Sequence, residues 1–473
     1  MASPMSTRPS LVRALGLLAA ASLVVSNIIG QGIFLKARAM TCNVGSPTLV
    51  MTAWVLAGVL ALCGALTLAE LSAMIPNSGG PYAFLRRAFG HPIAFTYGWM
   101  YFLLGGPLAA AALAAGGAIF LNLLSSDALH RFQIPYGLFG LHGVLVGTQL
   151  TALALLAAVA LVNLAPVRTN GVLATGFASV KILMLVALVL GAFAVGSGSW
   201  GHFAMTGAAG PCTGIAAAAR GGAAGFGAAM LGALYAYQGW ASLSYIAGEA
   251  KDPGRTIPRA LITSMFVVIG LYLAANAAYF YVLSPVVVAS VSPASSVGLE
   301  VLGHIFGPGT QGVATALLFI SVVATLHVSI LTNSRITFAM AEDRDMVPWL
   351  SSVTMGTRVP GAAVVAGAVI AAVLVLLGSF DTLSDFQVFS VWIFYGLTGV
   401  SVFVLRRILP DAPRPYRVFG YPVVPAIFVA ATVWLLYEAI IGAPVRSLIG
   451  LCIIALALPV YALLRNRAKG SLV

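Results

Sequence analysis

The sequence predicts an all-α integral membrane protein with about twelve transmembrane helices, and three observations predict it. Hydrophobic residues make up 60% of the 473 and charged residues only 8%, where a soluble domain carries roughly a quarter charged residues. The mean hydropathy is +1.01 over the whole length, so no segment reads as a soluble domain or a long linker. Apolar runs of about 20 residues, enough to cross a hydrocarbon core of about 30 Å, recur between charged or Pro/Gly-rich breaks.

In chain order the runs fall near 12–39, 47–75, 92–124, 143–164, 171–196, 222–249, 257–283, 310–340, 361–379, 384–405, 422–442 and 444–464. The first follows Arg8 and Arg13 and so looks like a signal peptide, but eleven further spans and the lack of a small-residue cleavage site predict an uncleaved helix. Several runs exceed one crossing, which implies tilt or a break. The outer loops near 125–142, 197–221 and 284–309 are rich in Gly, Ser and Pro and are expected to carry short helices.

The 24 Lys and Arg against 12 Asp and Glu give a formal charge of +12. In a soluble chain that balance would suggest a nucleic-acid partner; here it marks topology. With the N-terminus in the cytoplasm, Arg8, Arg13, Arg86, Arg87, Arg168, Lys251, Arg255, Arg259, Arg335, Arg344, Arg358, Arg406, Arg407, Arg414, Arg417, Arg465, Arg467 and Lys469 lie inside. Lys36, Arg38, Arg131, Arg220 and Arg446 lie outside, and this bias predicts both termini on the cytoplasmic side. One cation, Lys181, stands within the fifth span. Cys42 and Cys212 both fall in outer loops, where a bridge is topologically allowed and free thiols are the alternative.

Two spans are interrupted near the middle. The first reads Ser26-Asn27-Ile28-Ile29-Gly30-Gln31-Gly32-Ile33-Phe34, and the sixth reads Gly232-Ala233-Leu234-Tyr235-Ala236-Tyr237-Gln238-Gly239-Trp240. Gly weakens a helix and a mid-depth Gln must find a partner, whereas non-helical backbone at that depth is tolerated when it lines a cavity. A close-packing Gly pair at a helix contact is the competing reading. Five spans separate the two breaks, so spans one to five (12–196) and six to ten (222–405) form an inverted repeat, with 422–464 outside it. The helix starting near Gly32 offers free N–H groups to a carboxylate. The helix ends before it and at the sixth-span break offer carbonyls to an ammonium. That pair of surfaces fits an α-amino acid, with Gly permitting close backbone approach.

These residues resemble a known family. Gly30-Gln31-Gly32-Ile33-Phe34 is similar to the GSGIF motif of the amino acid–polyamine–organocation superfamily. Ala69-Glu70-Leu71, Ile75-Pro76 and Gly79-Gly80-Pro81-Tyr82 match its next motif. Ala236-Tyr237-Gln238-Gly239-Trp240, with Glu249, Asp252-Pro253 and Ile257-Pro258-Arg259-Ala260, resembles the L-type amino acid transporter branch and its bacterial relatives. Arg335, Ala339-Met340-Ala341 and Pro348, then Arg406-Arg407, Pro410, Arg414-Pro415-Tyr416 and Pro422, continue the match.

The resemblance implies a LeuT-like 5+5 fold, alternating access and amino acid transport. It also implies that Lys181, in Phe177-Ala178-Ser179-Val180-Lys181, replaces the sodium ion that coupled members hold between helices one and eight. Lys181 lies roughly ten residues into its span, too deep to snorkel comfortably, and its desolvation also suits proton coupling. Tyr235 stands at the position of the aromatic that caps the substrate, with core packing the alternative. Trp392 stands where the branch also has a Trp, lining the side-chain pocket, with lipid-facing or core packing the alternative. Gln31 and Gln238 depart from the family's small residues and point either into the pocket or into the scaffold, Ala241 replaces an Asn, and His327 replaces an Asn in the eighth span. Glu70 and Glu249, near Arg86, Arg87 and Arg259, read as inner-gate ion pairs.

The expected substrate-binding residues are Ile29, Gly30, Gln31, Gly32, Ile33, Tyr235, Ala236, Tyr237, Gln238, Gly239 and Trp240. Lys181 is the expected coupling residue, and Tyr235, Trp392, Glu70 and Glu249 the gates. The expected function is sodium-independent transport of a neutral amino acid across the inner membrane, as an antiporter or with protons. A cationic amino acid or polyamine antiporter is the alternative, and a receptor or channel without a transport cycle the reading from another class. The expected partners are the amino acid and the lipid bilayer, with an accessory subunit left open. No nucleic acid, cofactor, metal site or enzyme motif is expected.

Overall fold

Local chemistry sets most helix boundaries. Pro opens helices at Pro47, Pro81, Pro253, Pro285 and Pro444, where its missing N–H costs nothing. Ser46 and Ser296 cap the helices that follow by accepting from Leu49 N and Leu299 N at 3.2 and 3.1 Å. The computed structural model describes residues 15–470 except 78, 139–140, 196, 208–209, 294, 344, 355 and 358. Arg8, Arg13, Arg344 and Arg358, and the side chains of Arg168, Arg465, Arg467 and Lys469, therefore lie outside the described residues.

The helices are α1 (Leu17–Ile28), α2 (Gly32–Val44), α3 (Pro47–Met74), α4 (Pro81–Phe89), α5 (His91–Met100), α6 (Gly106–Leu124), α7 (Ala128–Arg131), α8 (Gly147–Asn163), α9 (Val167–Ala194) and α10 (Gly222–Ala236). They continue as α11 (Ser242–Tyr245), α12 (Pro253–Val282), α13 (Pro285–Ser290), α14 (Val297–Phe306), α15 (Gln311–Glu342), α16 (Gly361–Leu377), α17 (Phe380–Ile408), α18 (Val423–Gly442), α19 (Pro444–Ala455) and α20 (Ala457–Gly470). A single π-helical stretch, Tyr101–Gly105, joins α5 to α6. Among the described residues nine helical stretches are long and apolar enough to cross a membrane, and Gly147–Asn163, Gly222–Ala236, Val297–Phe306 and Gly361–Leu377 are shorter apolar helices. The chain is thus a multi-pass helical membrane protein.

Two features differ from the sequence reading. The loop near 125–142 carries, besides the short α7, an antiparallel hairpin of β1 (Gln133–Leu138) and β2 (Leu141–Val146), with Gln133 opposite Val146. The sixth span is not two comparable halves: beyond Ala236 the chain turns through 237–241 and keeps only α11 and a 3-10 turn at Ala247–Glu249.

Both breaks are real and they meet. α1 stops at Ile28, Ile29 is extended, and α2 restarts at Gly32. α10 stops at Ala236, and Gly239 takes φ +119°, a conformation that Gly adopts freely. A Cβ placed on Gly32 would stand 2.6 Å from Ala236 Cα, so only Gly lets these two backbones touch. α10 packs along α2, α12 along α3 and α1, and α15 along α6, which encloses the breaks in protein.

Candidate functional site

One hydroxyl ties the breaks together. Tyr272 Oη on α12 lies 2.9 Å from Ile28 O and 3.1 Å from Ala236 O, so a single proton serves the carbonyls of both interrupted helices. Asn27 Nδ2 also donates to Gly239 O at 3.4 Å. The carbonyls expected to be open for an ammonium are thus partly engaged: Ser26 O, Ile28 O and Ile29 O accept from Lys181, Tyr272 and Thr325. A carbonyl keeps a second lone pair, so engagement narrows the approach without closing it.

Lys181 is fully buried on α9. Its Nζ donates at 2.6 Å to Ser26 O and at 2.6 Å to Thr325 Oγ1 on α15. Thr325 in turn donates toward Ile29 O, at 3.1 Å. The ammonium therefore links the end of α1 to α15 through neutral oxygens, and charge-assisted bonds of this kind are the stronger ones. Nearby, Asn163 Nδ2 stands 3.1 Å from His327 Nδ1 inside the bundle and also donates to Val159 O. Read as a donor, that amide leaves His327 Nδ1 the acceptor of a neutral imidazole.

A cavity of ≈ 60 Å³ lies between the breaks, with Gly30, Gln31, Gly32, Tyr235, Ala236, Gln238 and Gly239 in its wall. Ile29, Ile33, Tyr237 and Trp240, expected beside them, are not in the wall. Ile33 on α2, and Ile29, Tyr237 and Trp240 from the non-helical breaks, are buried in the surrounding protein instead. Tyr237, for example, packs on Trp54 and Tyr272, and Trp240 on Tyr395 and Phe428. Trp392 is fully buried behind the wall, against Tyr395 and Phe428, in the core rather than on the pocket. Gln31 turns into the scaffold: its Nε2 donates to Ala112 O at 2.8 Å and to Tyr235 Oη at 3.2 Å, and its amide lies over Gly116.

Tyr235, in this wall, packs on Phe380 in the wall of a second cavity of ≈ 460 Å³ that reaches the exposed residues Thr213, Gly214 and Ala216. Its ring meets Phe380 edge-on at 5.6 Å. Lys36, only 2% exposed, lies over both rings and bonds Asp381 and Asp385 at 2.8 and 3.1 Å. Sequence reading counted Lys36 only as an orientation charge. The usable signal was the i,i+4 pair of aspartates opening an otherwise apolar helix. At the same end Cys42 and Cys212 form a disulfide, and Arg38 Nη2 donates to Thr213 O at 2.7 Å.

The opposite end carries ion pairs, and their partners differ from the sequence expectation. Glu70 bonds Arg406 through both oxygens at 2.9 and 2.7 Å, lies 3.5 Å from Arg414, and accepts from Val418 N at 2.6 Å. Glu249 lies 3.5 Å from Arg335. Arg86 pairs instead with Asp343, and Arg87 is exposed. Residues adjacent along the chain leave α3 and α4 in different directions, so proximity in sequence named the wrong cations. Burial, then the Asp345 and Asp343 carboxylates, hold the Tyr82 phenol well above its ordinary pKa, so it stays a donor to Asp345 at 2.6 Å. Glu70→Ala is expected to cost about 3–5 kcal/mol, read as a lower melting temperature in detergent. Arg87→Ala is expected to stay within about 0.5 kcal/mol.

Paired helix breaks around a buried cavity, with an aromatic pair on one side and ion pairs on the other, define a membrane transporter. The chain belongs to the amino acid permease family, whose profile matches residues 15–464, within the amino acid–polyamine–organocation superfamily. It is 28% identical over 462 residues to the serine/threonine exchanger SteT of Bacillus subtilis (strain 168), covering 97% of this chain and 98% of that protein. It is also 28% identical to the b(0,+)-type amino acid transporter 1 of Rattus norvegicus (93% and 85% covered) and to the large neutral amino acids transporter small subunit 2 of Homo sapiens (96% and 81%). The chain is an amino acid transporter and not an enzyme.

Proposed function

We propose that this permease carries a neutral α-amino acid by alternating access without sodium, driven by exchange or by protons. The observation that carries the reading is Lys181: its ammonium already occupies the oxygens of α1 and α15 that a coupling cation would need. Apart from tyrosine hydroxyls the cavity wall has no ionisable side chain, which favours a neutral substrate over a cationic one or a polyamine. The names of the relatives, which include an exchanger and transporters of neutral amino acids, support the same class.

In this reading the helices form twelve spans in a LeuT-like arrangement, with 12–196 and 222–405 as inverted repeats and 422–464 outside them. The disulfide end faces outward, and the termini and most cations face the cytoplasm of the inner membrane. The substrate carboxylate meets the N–H groups at Gly32 and its ammonium the carbonyls at the α1 and α10 ends. Tyr235, braced by Phe380 and Lys36, closes the outer side. Glu70 with Arg406 and Glu249 with Arg335 open the inner side when they separate. Trp392 acts from the core, holding Tyr395 against the cavity.

Uptake of a radiolabelled amino acid panel into proteoliposomes tests this, with and without sodium, a pH gradient or internal substrate. We expect uptake unchanged when sodium is replaced by choline, and stimulated by internal substrate or by an inward proton gradient. Strict dependence on sodium would remove the role given to Lys181, and no transport of any amino acid would remove the whole reading.

A further inference from the structure

Most polar groups in the cavity wall are already paired. Asn333 Oδ1 accepts from Tyr101 at 2.7 Å and its Nδ2 donates to Ser329 at 3.0 Å, and Gln31 Nε2 is bonded to Ala112 and Tyr235. Two wall residues are different. Gln238, in the turn after α10, and Gln387, on α17 and only 3% exposed, each bury an Oε1 that accepts no hydrogen bond among the described residues. Gln31 Oε1, also in the wall, is unpaired too, but it lies against Gly116 on an amide whose nitrogen is already held by Ala112 and Tyr235. A buried amide oxygen without a donor is costly, and native interiors keep few of them. Two such oxygens on one small cavity, one from the turn after α10 and one from α17, are explained by a donor that arrives with the ligand.

We propose that Gln238 and Gln387 form the side-chain subsite of this transporter, and that its substrate has a short, uncharged side chain bearing a hydrogen-bond donor, a hydroxyl or a carboxamide. The proposal rests on the amino acid transport reading above and adds the substrate class. An aliphatic side chain of equal size leaves both oxygens unmet, and sites built for a polar group reject the analogue that lacks it. A charged side chain finds no counter-ion in the wall. The cavity is a small one, which favours a short chain.

The test is equilibrium binding of radiolabelled isosteric pairs, threonine against valine and asparagine against leucine, to the full-length protein in detergent. The polar member of each pair is expected to bind at least about tenfold tighter, about one hydrogen bond's worth of affinity. Gln238→Met and Gln387→Met are each expected to bring threonine affinity down toward that of valine, with valine affinity held within about threefold. Gln387→Asn, which keeps the amide, is expected to retain part of the preference, and it decides the matter if a Met variant binds neither ligand. Equal or reversed affinities in the wild type, or a threonine preference that survives both Met variants, overturn the subsite. If all four ligands fail while other amino acids bind, the subsite falls and the transport reading stands; if no amino acid binds, both fall.

Discussion

Lys181→Ala is expected to lower amino acid uptake into proteoliposomes at least tenfold, with protein that still elutes as a single folded species. The variant removes two hydrogen bonds from a charged donor, to Ser26 O and Thr325 Oγ1, and such bonds contribute about 1.5–3 kcal/mol each. They help link the end of α1 to α15, so their loss falls on the break that borders the cavity. A melting temperature measured beside uptake separates this effect from unfolding, and Lys181→Met, which fills the space without the charge, should be as inactive as Lys181→Ala. Uptake within twofold of wild type in either variant refutes the assigned role.

Gly32→Ala is expected to impair transport far more than Gly30→Ala. The new Cβ at residue 32 would lie 2.6 Å from Ala236 Cα and 2.8 Å from its Cβ, and backbone cannot step aside. The two breaks must separate, which pulls apart the carbonyls that Tyr272 spans. At residue 30 the nearest neighbour is the Thr325 side chain, at 3.2 Å, which need give only by a few tenths of an ångström. Overpacking of the first kind costs about 1–3 kcal/mol, here concentrated on the site, so we expect uptake down at least tenfold for Gly32→Ala and a few-fold for Gly30→Ala. Equal effects would show that the backbone contact between the breaks does not matter.

Much of the architecture was legible before any coordinates. Apolar run length marks spanning helices because lipid offers the backbone no other partner. The Gly-Gln-Gly sequence at 30–32 and the Gln-Gly at 238–239 mark breaks because both residue types are expensive in a lipid-facing helix. Lys181 stood out for the same reason. What sequence pattern left undecided was direction. Gln31 and Gln238 carry the same side chain beside a break, yet Gln31 is bonded to the scaffold while Gln238 leaves its oxygen unmatched on the cavity. Trp392 reads equally as lining or core until Phe428 and Tyr395 are seen around it.

The sequence alone determined that this chain lies in a membrane, roughly where most of its long helices run, which two of them break, and that Lys181 is buried. Each of those follows from the solvation cost of a residue against its own neighbours in the chain. The tertiary structure decided which groups meet: Tyr272 with two carbonyls, Lys36 with Asp381 and Asp385, Glu70 with Arg406, Cys42 with Cys212. Most of those partners stand 170 to more than 300 residues apart, and local hydropathy carries no record of the helix face that brings them into contact.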